Sequence, residues 1–147
     1  MTFGYSLLKK PMKIDEIIAV KVVNVWPWGE HKPFIFGLTN LEPSTMISST
    51  NPSINIFECS DDLKVKKDDI LQFQMKNDGR ILFSKNDQIP ICIFQISTSN
   101  LSTNLWPFFK MGKVSSIELI EPKNEIFMES TKTASVLNFL DFFNNVF

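Results

Sequence analysis

Leu71-Gln72-Phe73-Gln74-Met75-Lys76-Asn77-Asp78-Gly79-Arg80-Ile81-Leu82-Phe83-Ser84 decides the fold class. Leu71, Phe73 and Met75 alternate with Gln72, Gln74 and Lys76, the period of a half-buried strand. Asn77-Asp78-Gly79 is turn chemistry, with Gly79 able to take a positive φ. Ile81 and Phe83 then alternate with Leu82 and Ser84, so the two runs predict a β-hairpin.

Downstream, Lys85-Asn86-Asp87-Gln88 is a second turn, and Ile89 to Ile96 a further strand. Pro90 places the start of that strand at a sheet edge or beside a bulge. Leu105-Trp106-Pro107-Phe108-Phe109 packs four large apolar side chains into five residues. Pro107 is expected to interrupt any helix or central strand there, and the rings to plug the core between two layers. Val114 to Ile120 is the last strand. Upstream, Ile54 to Cys59 reads as strand, and Phe34, Phe36 and Leu38 alternate with Ile35, Gly37 and Thr39. Gly37 inside a strand signals a bulge or a close backbone approach. Ile14 to Trp26 is apolar on both faces and rich in β-branched residues, which predicts a central strand covered on both sides. Asn40 to Ser53 has no period and reads as a long surface loop. The total is about seven strands with no helix before residue 122, an all-β, antiparallel two-sheet β-sandwich. After Pro122, Ser130 or Thr131 caps a predicted short C-terminal α-helix with Val136, Phe139, Leu140, Phe143 and Val146 or Phe147 on one face. It is expected to dock on a sheet rather than on a partner, because so many exposed rings invite aggregation.

A chain of 147 residues with a formal net charge of −1 fits one domain with its own core. Arg80 is the sole arginine, which argues against a surface dedicated to phosphate or nucleic acid. Lys9, Lys10, Lys13 and Lys64, Lys66, Lys67 read as solvated faces, with peripheral contact to acidic lipid as the alternative. Cys59 and Cys92 have no CxxC partner, so no zinc site is expected, and both are read as buried free thiols of a reducing, cytoplasmic compartment. The N-terminus lacks the regions of a signal peptide, and no stretch has the length of a membrane span. His31, the only histidine, sits in a polar turn, and no GxSxG, HExxH or phosphate loop occurs. Asp61/Asp62 and Asp68/Asp69 are adjacent pairs and read as solvated turns, not as an acid–base pair. No catalytic residue, metal or cofactor is expected.

Several of these stretches resemble the signatures of one family. Phe34-Ile35-Phe36-Gly37-Leu38-Thr39-Asn40-Leu41-Glu42-Pro43-Ser44 resembles the FG…T-x-x-[DN]P signature of the neuralized homology repeat, with Trp28-Gly29 like its W-x-G turn. Asp68-Asp69-Ile70-Leu71-Gln72-Phe73 is similar to its GDxLxF strand, and Asn77-Asp78-Gly79-Arg80-Ile81 to the hairpin after it. Leu105-Trp106-Pro107-Phe108-Phe109 matches LW-x-FF, Ile117-Glu118-Leu119-Ile120 the closing strand, and Phe3 to Pro11 the VFSxRPL approach. Ser97 stands where the family often has Asp, and Lys110-Met111-Gly112 is shorter than its DxYG. The resemblance covers residues 1–121, a domain that starts too late for the family's opening strand; residues 122–147 form a tail expected to cover the edge so exposed.

The resemblance implies a two-sheet sandwich that binds short Asn-containing motifs of partner proteins, such as cytoplasmic tails of Notch ligands. It also implies a place in a ubiquitin-ligase pathway, with E3 ligase components as partners. Two cysteines cannot build a RING, and the tail lacks a SOCS-box pattern, so this chain is expected to recognise rather than catalyse. Loops on a rigid sandwich carry binding. The candidates are Trp28, Gly29 and His31 in one loop, Glu42, Ser44, Thr45 and Met46 in a second, and Asn86 and Asp87 in a third. Trp28 leads, since exposed tryptophans anchor interfaces; for each the plain alternative is a solvated loop residue. A module for carbohydrate or lipid head groups is the competing reading, and a sugar site would want exposed aromatics and carboxylates at one end of the sandwich. An enzyme hidden in the loops ranks third.

Overall fold

The computed structural model describes residues 4–28, 31–40, 42 and 56–122. The predicted C-terminal helix and nearly all of the 40–53 loop lie outside the described residues.

Alternation along the chain folds as two stacked antiparallel sheets. One has the order β1-β8-β3-β4, with β1 at Tyr5–Leu7, β8 at Trp106–Lys110, β3 at Ile35–Thr39 and β4 at Ile56–Cys59. The other has the order β7-β6-β5-β2-β9, with β7 at Ile91–Gln95, β6 at Arg80–Lys85, β5 at Ile70–Met75, β2 at Ile17–Val25 and β9 at Val114–Ile120. The hairpin predicted by the alternation is β5–β6, paired from Leu71↔Lys85 to Met75↔Ile81. Gly79 sits at φ +90 in its turn, a conformation that side chains resist.

The core lies between the sheets. Ile18, Val20 and Val22 of β2 meet Phe34, Phe36 and Leu38, all in the buried cluster. Phe36 stacks on Phe73 across the layers with centroids 4.1 Å apart. Phe109 meets both rings edge-on, at 5.3 and 5.6 Å. Offset and edge-to-face arrangements of this kind add to the area they bury. The aromatic block plugs the core only in part: Leu105 and Phe109 belong to the buried cluster, whereas Phe108, though buried, lies outside it and pairs with Gly37 on the other face of the sheet.

Four expectations need correction. Pro107 does not break a strand; it lies within β8, an interior strand of its sheet. Its carbonyl accepts from the Leu8 N–H at 3.1 Å, so in this antiparallel ladder its ring nitrogen faces Leu8 as well. Leu8 is the residue just past β1, so the missing donor falls where the pairing of β1 with β8 runs out. Toward β3, Pro107 sits opposite Leu38 in a position that asks for no bond. Second, the described residues hold nine strands, because β1 and β8 add to the seven legible ones. Third, a short 3-10 turn, Thr98–Asn100, precedes residue 122. Fourth, the thiols are not both buried: Cys59 is half-buried and Cys92 exposed. Cys92 pairs with Leu82 on the edge strand β7 and points away from the core. Pro90 indeed precedes an edge strand, with a register shift opposite Ile81 and Leu82.

Candidate functional site

Strand registers sort the loops between two ends of the sandwich. Val25 of β2 lies opposite Val114 of β9, and Ile35 of β3 opposite Lys110 of β8. The 26–34 and 111–113 connections therefore share one end. The 60–69 connection and the 85–90 turn join them, because Leu71 lies opposite Lys85 and the Asp69 carbonyl takes the Val22 N–H at 2.9 Å. The other end holds the Asn77–Gly79 turn, the 96–105 connection and the exit from β3, where Thr39 faces Trp106. So Trp28, His31, Asn86 and Asp87 share an end, and Glu42 lies at the opposite one. Gly29, Ser44, Thr45 and Met46 lie outside the described residues.

Trp28 is 58% exposed. It is not a loose ring. It stacks on Trp26 with centroids 5.1 Å apart and planes 19° from parallel. Trp26 is anchored in turn, its N–H donating to the Lys113 carbonyl at 2.7 Å, while the Lys113 N–H donates to the Lys32 carbonyl at 3.1 Å. Beside them Gly112 takes φ +50 against the Pro33 carbonyl, where a Cβ would collide. The result is an aromatic platform on a pinned loop; His31, further along the same connection, is exposed. Sequence reading singled out Trp28 and missed Trp26, which it took as a strand end. The available signal was the Trp26-Pro27-Trp28 spacing, in which a proline turn folds one indole over the other.

Asn86 is committed to the fold. Its Oδ1 accepts from the Ile70 N–H at 2.8 Å, its Nδ2 donates to Asp69 Oδ1 at 2.8 Å, and its own N–H donates to the Ile70 carbonyl at 2.8 Å. Asn86 and Asp87 both have positive φ, 53 and 65, which Asn and Asp tolerate better than other side chains. Asp69 Oδ2 also takes the Lys66 N–H at 2.8 Å, and Asp62 Oδ1 the Phe34 N–H at 3.0 Å. These turn carboxylates tie loops to strands. Asp61, Asp68 and Asp87 extend the carboxylate set of this end, and Asp68 lies 3.9 Å from Lys21. Lys64, Lys66 and Lys67 are exposed, as are Lys9, Lys10 and Lys13 at the opposite end.

Among the described residues no group of three His, Cys, Asp or Glu side chains is arranged to hold a metal ion. No described helix is long and apolar enough to cross a membrane.

Comparison with known proteins adds a family and a fold. The family model Neuralized matches residues 1–121. No curated protein matches the chain. Among solved structures, the crystal structure of the Drosophila melanogaster neuralized-nhr1 domain superposes with a TM-score of 0.65 at 19% identity, covering 80% of each chain. The solution structure of the NEUZ (NHR) domain in Neuralized from Drosophila melanogaster gives a TM-score of 0.67 at 19% identity, covering 80% of this chain and 74% of that one. At that identity the likeness is one of fold.

Proposed function

The chain belongs to the Neuralized family, a family of protein-interaction domains, and we propose that it grips a short peptide of a partner protein with the Trp28 end of its sandwich. One observation carries the reading: an exposed indole is held rigid by a second one, 5.1 Å away, on a loop pinned to β9. A rigid ring loses little entropy when a ligand covers it, and buried Trp anchors supply a disproportionate share of interface energy. Trp28 is the anchor, His31 and Asp87 the polar margin, and Asn86 the residue that holds the third loop in place. Gly29 follows the anchor in the same loop. Glu42, Ser44, Thr45 and Met46 follow β3 out of the opposite end and would serve a second contact. The peptide is of the Asn-containing kind that the family resemblance implies, and the chain is the recognition part of a ubiquitin-ligase pathway whose transfer chemistry other proteins supply. The compartment is the cytoplasm.

Binding to an array of Asn-containing peptides, followed by fluorescence anisotropy, tests this. Trp28→Ala is expected to weaken binding by at least about tenfold and to leave the unfolding midpoint nearly unchanged. Equal binding by the variant would remove Trp28 from the site. The same end of the sandwich also carries Asp61, Asp68 and Asp87 besides an exposed aromatic, which favours a sugar ring as the second reading. Binding on a glycan array but to no peptide would decide for it.

A further inference from the structure

We propose that the crevice between the outer strands β1 and β9 binds a fatty acid, with its alkyl chain between the two sheets and its carboxylate at Lys9 and Lys10. Strand register gives the first sign. Ile117 and Leu119 of β9 lie opposite Val22 and Val20 of β2, and directly paired residues share one face of a sheet. Val20 and Val22 are fully buried in the core between the sheets. Leu119 therefore turns to the inter-sheet side, where a leucine is ordinarily covered. It is 59% exposed.

Sheet width accounts for that exposure. Four described strands stack on five, and β4 meets β7 at one side of the sandwich. On the other side the narrower sheet ends at β1 before it covers β9. The space so left is a crevice of about 550 Å³ lined by residues 7–10, 16–19 and 119–120. Leu8 and Ile18, both packed on the core, are among its walls. Its size falls within the range of small-ligand sites, roughly 300–1,000 Å³.

Position selects the occupant. A peptide strand added to β9 would lie beside Leu119 in the plane of its sheet and leave the inter-sheet side bare. A peptide pushed between the layers would carry its amides away from water and from any ladder partner, which is costly. An alkyl chain has no such groups and covers Leu119 from the side that is open. The mouth then selects the head group. The segment that carries Lys9 and Lys10 is fixed at both ends to β8, the Leu8 N–H donating to the Pro107 carbonyl at 3.1 Å and the Met12 N–H to the Leu105 carbonyl at 2.8 Å. Both lysines are exposed, and Glu16 is the one other charged residue of the lining, so the mouth keeps a positive balance. An anionic head on an apolar chain matches both parts of the site.

The test is displacement of a dansyl-labelled undecanoate from the full chain, followed by fluorescence, with octanoate, decanoate, dodecanoate and tetradecanoate as competitors. Affinity is expected to rise along this series by up to about fourfold per methylene, a measurement that needs no variant. Leu119→Glu should weaken dodecanoate binding at least about tenfold with the urea midpoint kept, whereas Ile89→Glu, at an exposed apolar position on the β7 side, should leave it unchanged. Lys9→Ser with Lys10→Ser should weaken dodecanoate about two- to fivefold and leave dodecanol unaffected. A natural chain that takes up no probe, affinity that does not grow with chain length, or binding that survives Leu119→Glu would each overturn the proposal. So would capture by vesicles of phosphatidylserine without binding of the monomeric acid, which would mark a membrane surface, or a dimer that Leu119→Glu dissociates, which would give the crevice to a second copy.

Discussion

Phe108 closes over the bare backbone of Gly37. The two lie opposite each other on the outward face of the four-stranded sheet. A Cβ added to Gly37 would run into the Phe108 Cζ, and would come within 2.7 Å of its Cε1 and 2.9 Å of the Cys59 Cβ. Gly37→Ala is therefore an overpacking change, expected to cost about 1–3 kcal/mol. Its urea midpoint should fall accordingly. Phe108→Ala costs more alone, by leaving a void. The double variant should lose less than the two costs added, because each change relieves the other.

That pair also shows how far the sequence can be read. The glycine inside an alternating run signalled a close approach, and Phe36 and Leu38 on its other face signalled the core. What approached could not be read, because Phe108 is far along the chain and register sets the contact. The same holds for Pro107. Its ring forbids a bond, but only the pairing with β1 shows that the forbidden bond faces the place where β1 ends. Trp28 was legible as an exposed loop aromatic; its support by Trp26 depends on how Pro27 turns the chain. Asn86 looked like an ordinary turn residue, and its three bonds to Asp69 and Ile70 come from a neighbouring strand. Local period carries the elements, and long-range register carries the site.

Asn86 performs two separable tasks. It holds a backbone φ of 53 and ties the turn to Ile70 and Asp69 through its side chain. Asn86→Gly keeps the first task and loses the second, at a cost of about 1–2 kcal/mol for two partly solvated hydrogen bonds. Asn86→Ala loses both, and left-handed strain adds about 1 kcal/mol more. Denaturant unfolding should rank wild type above the glycine variant and the glycine variant above alanine. The reverse order for the two variants would show that the side-chain bonds carry little.

The thiols should react in sequence. Burial pushes the Cys59 thiol up, the Glu58 and Asp61 carboxylates push the same way, and Lys110 opposes them. Less of it is thiolate at neutral pH, and thiolate is the nucleophile. Cys92 is exposed on an edge strand, with its Sγ 3.4 Å from the Phe94 carbonyl. Labelling with a chromogenic disulfide near pH 7.5 should give two phases, and Cys92→Ser should delete the faster one. Lys110→Ala should slow the remaining phase further, since it removes the one charge that favours the Cys59 anion.

Acid should weaken the β5–β6 turn through Asp78. Burial pulls the Asp78 carboxyl upward, but the Arg80 N–H at 3.2 Å and the Arg80 Nε at 2.8 Å outweigh it and hold the group below its ordinary value. A carboxyl depressed in the folded state stabilises fully above its unfolded value of about 3.9. That contribution disappears as pH falls through the lower, folded value. Both partners are more than a third exposed, so solvent screening limits the effect to at most about 1 kcal/mol. Wild type and Asp78→Asn should therefore differ in stability at pH 7 and converge in acid, once the folded-state carboxyl takes up its proton. High salt should shrink the neutral-pH gap, because the Arg80 Nε contact is partly coulombic, and leave the part due to the backbone N–H. A gap that is constant from pH 7 to pH 2 would mean that Asp78 holds the turn by shape alone and that its charge contributes nothing.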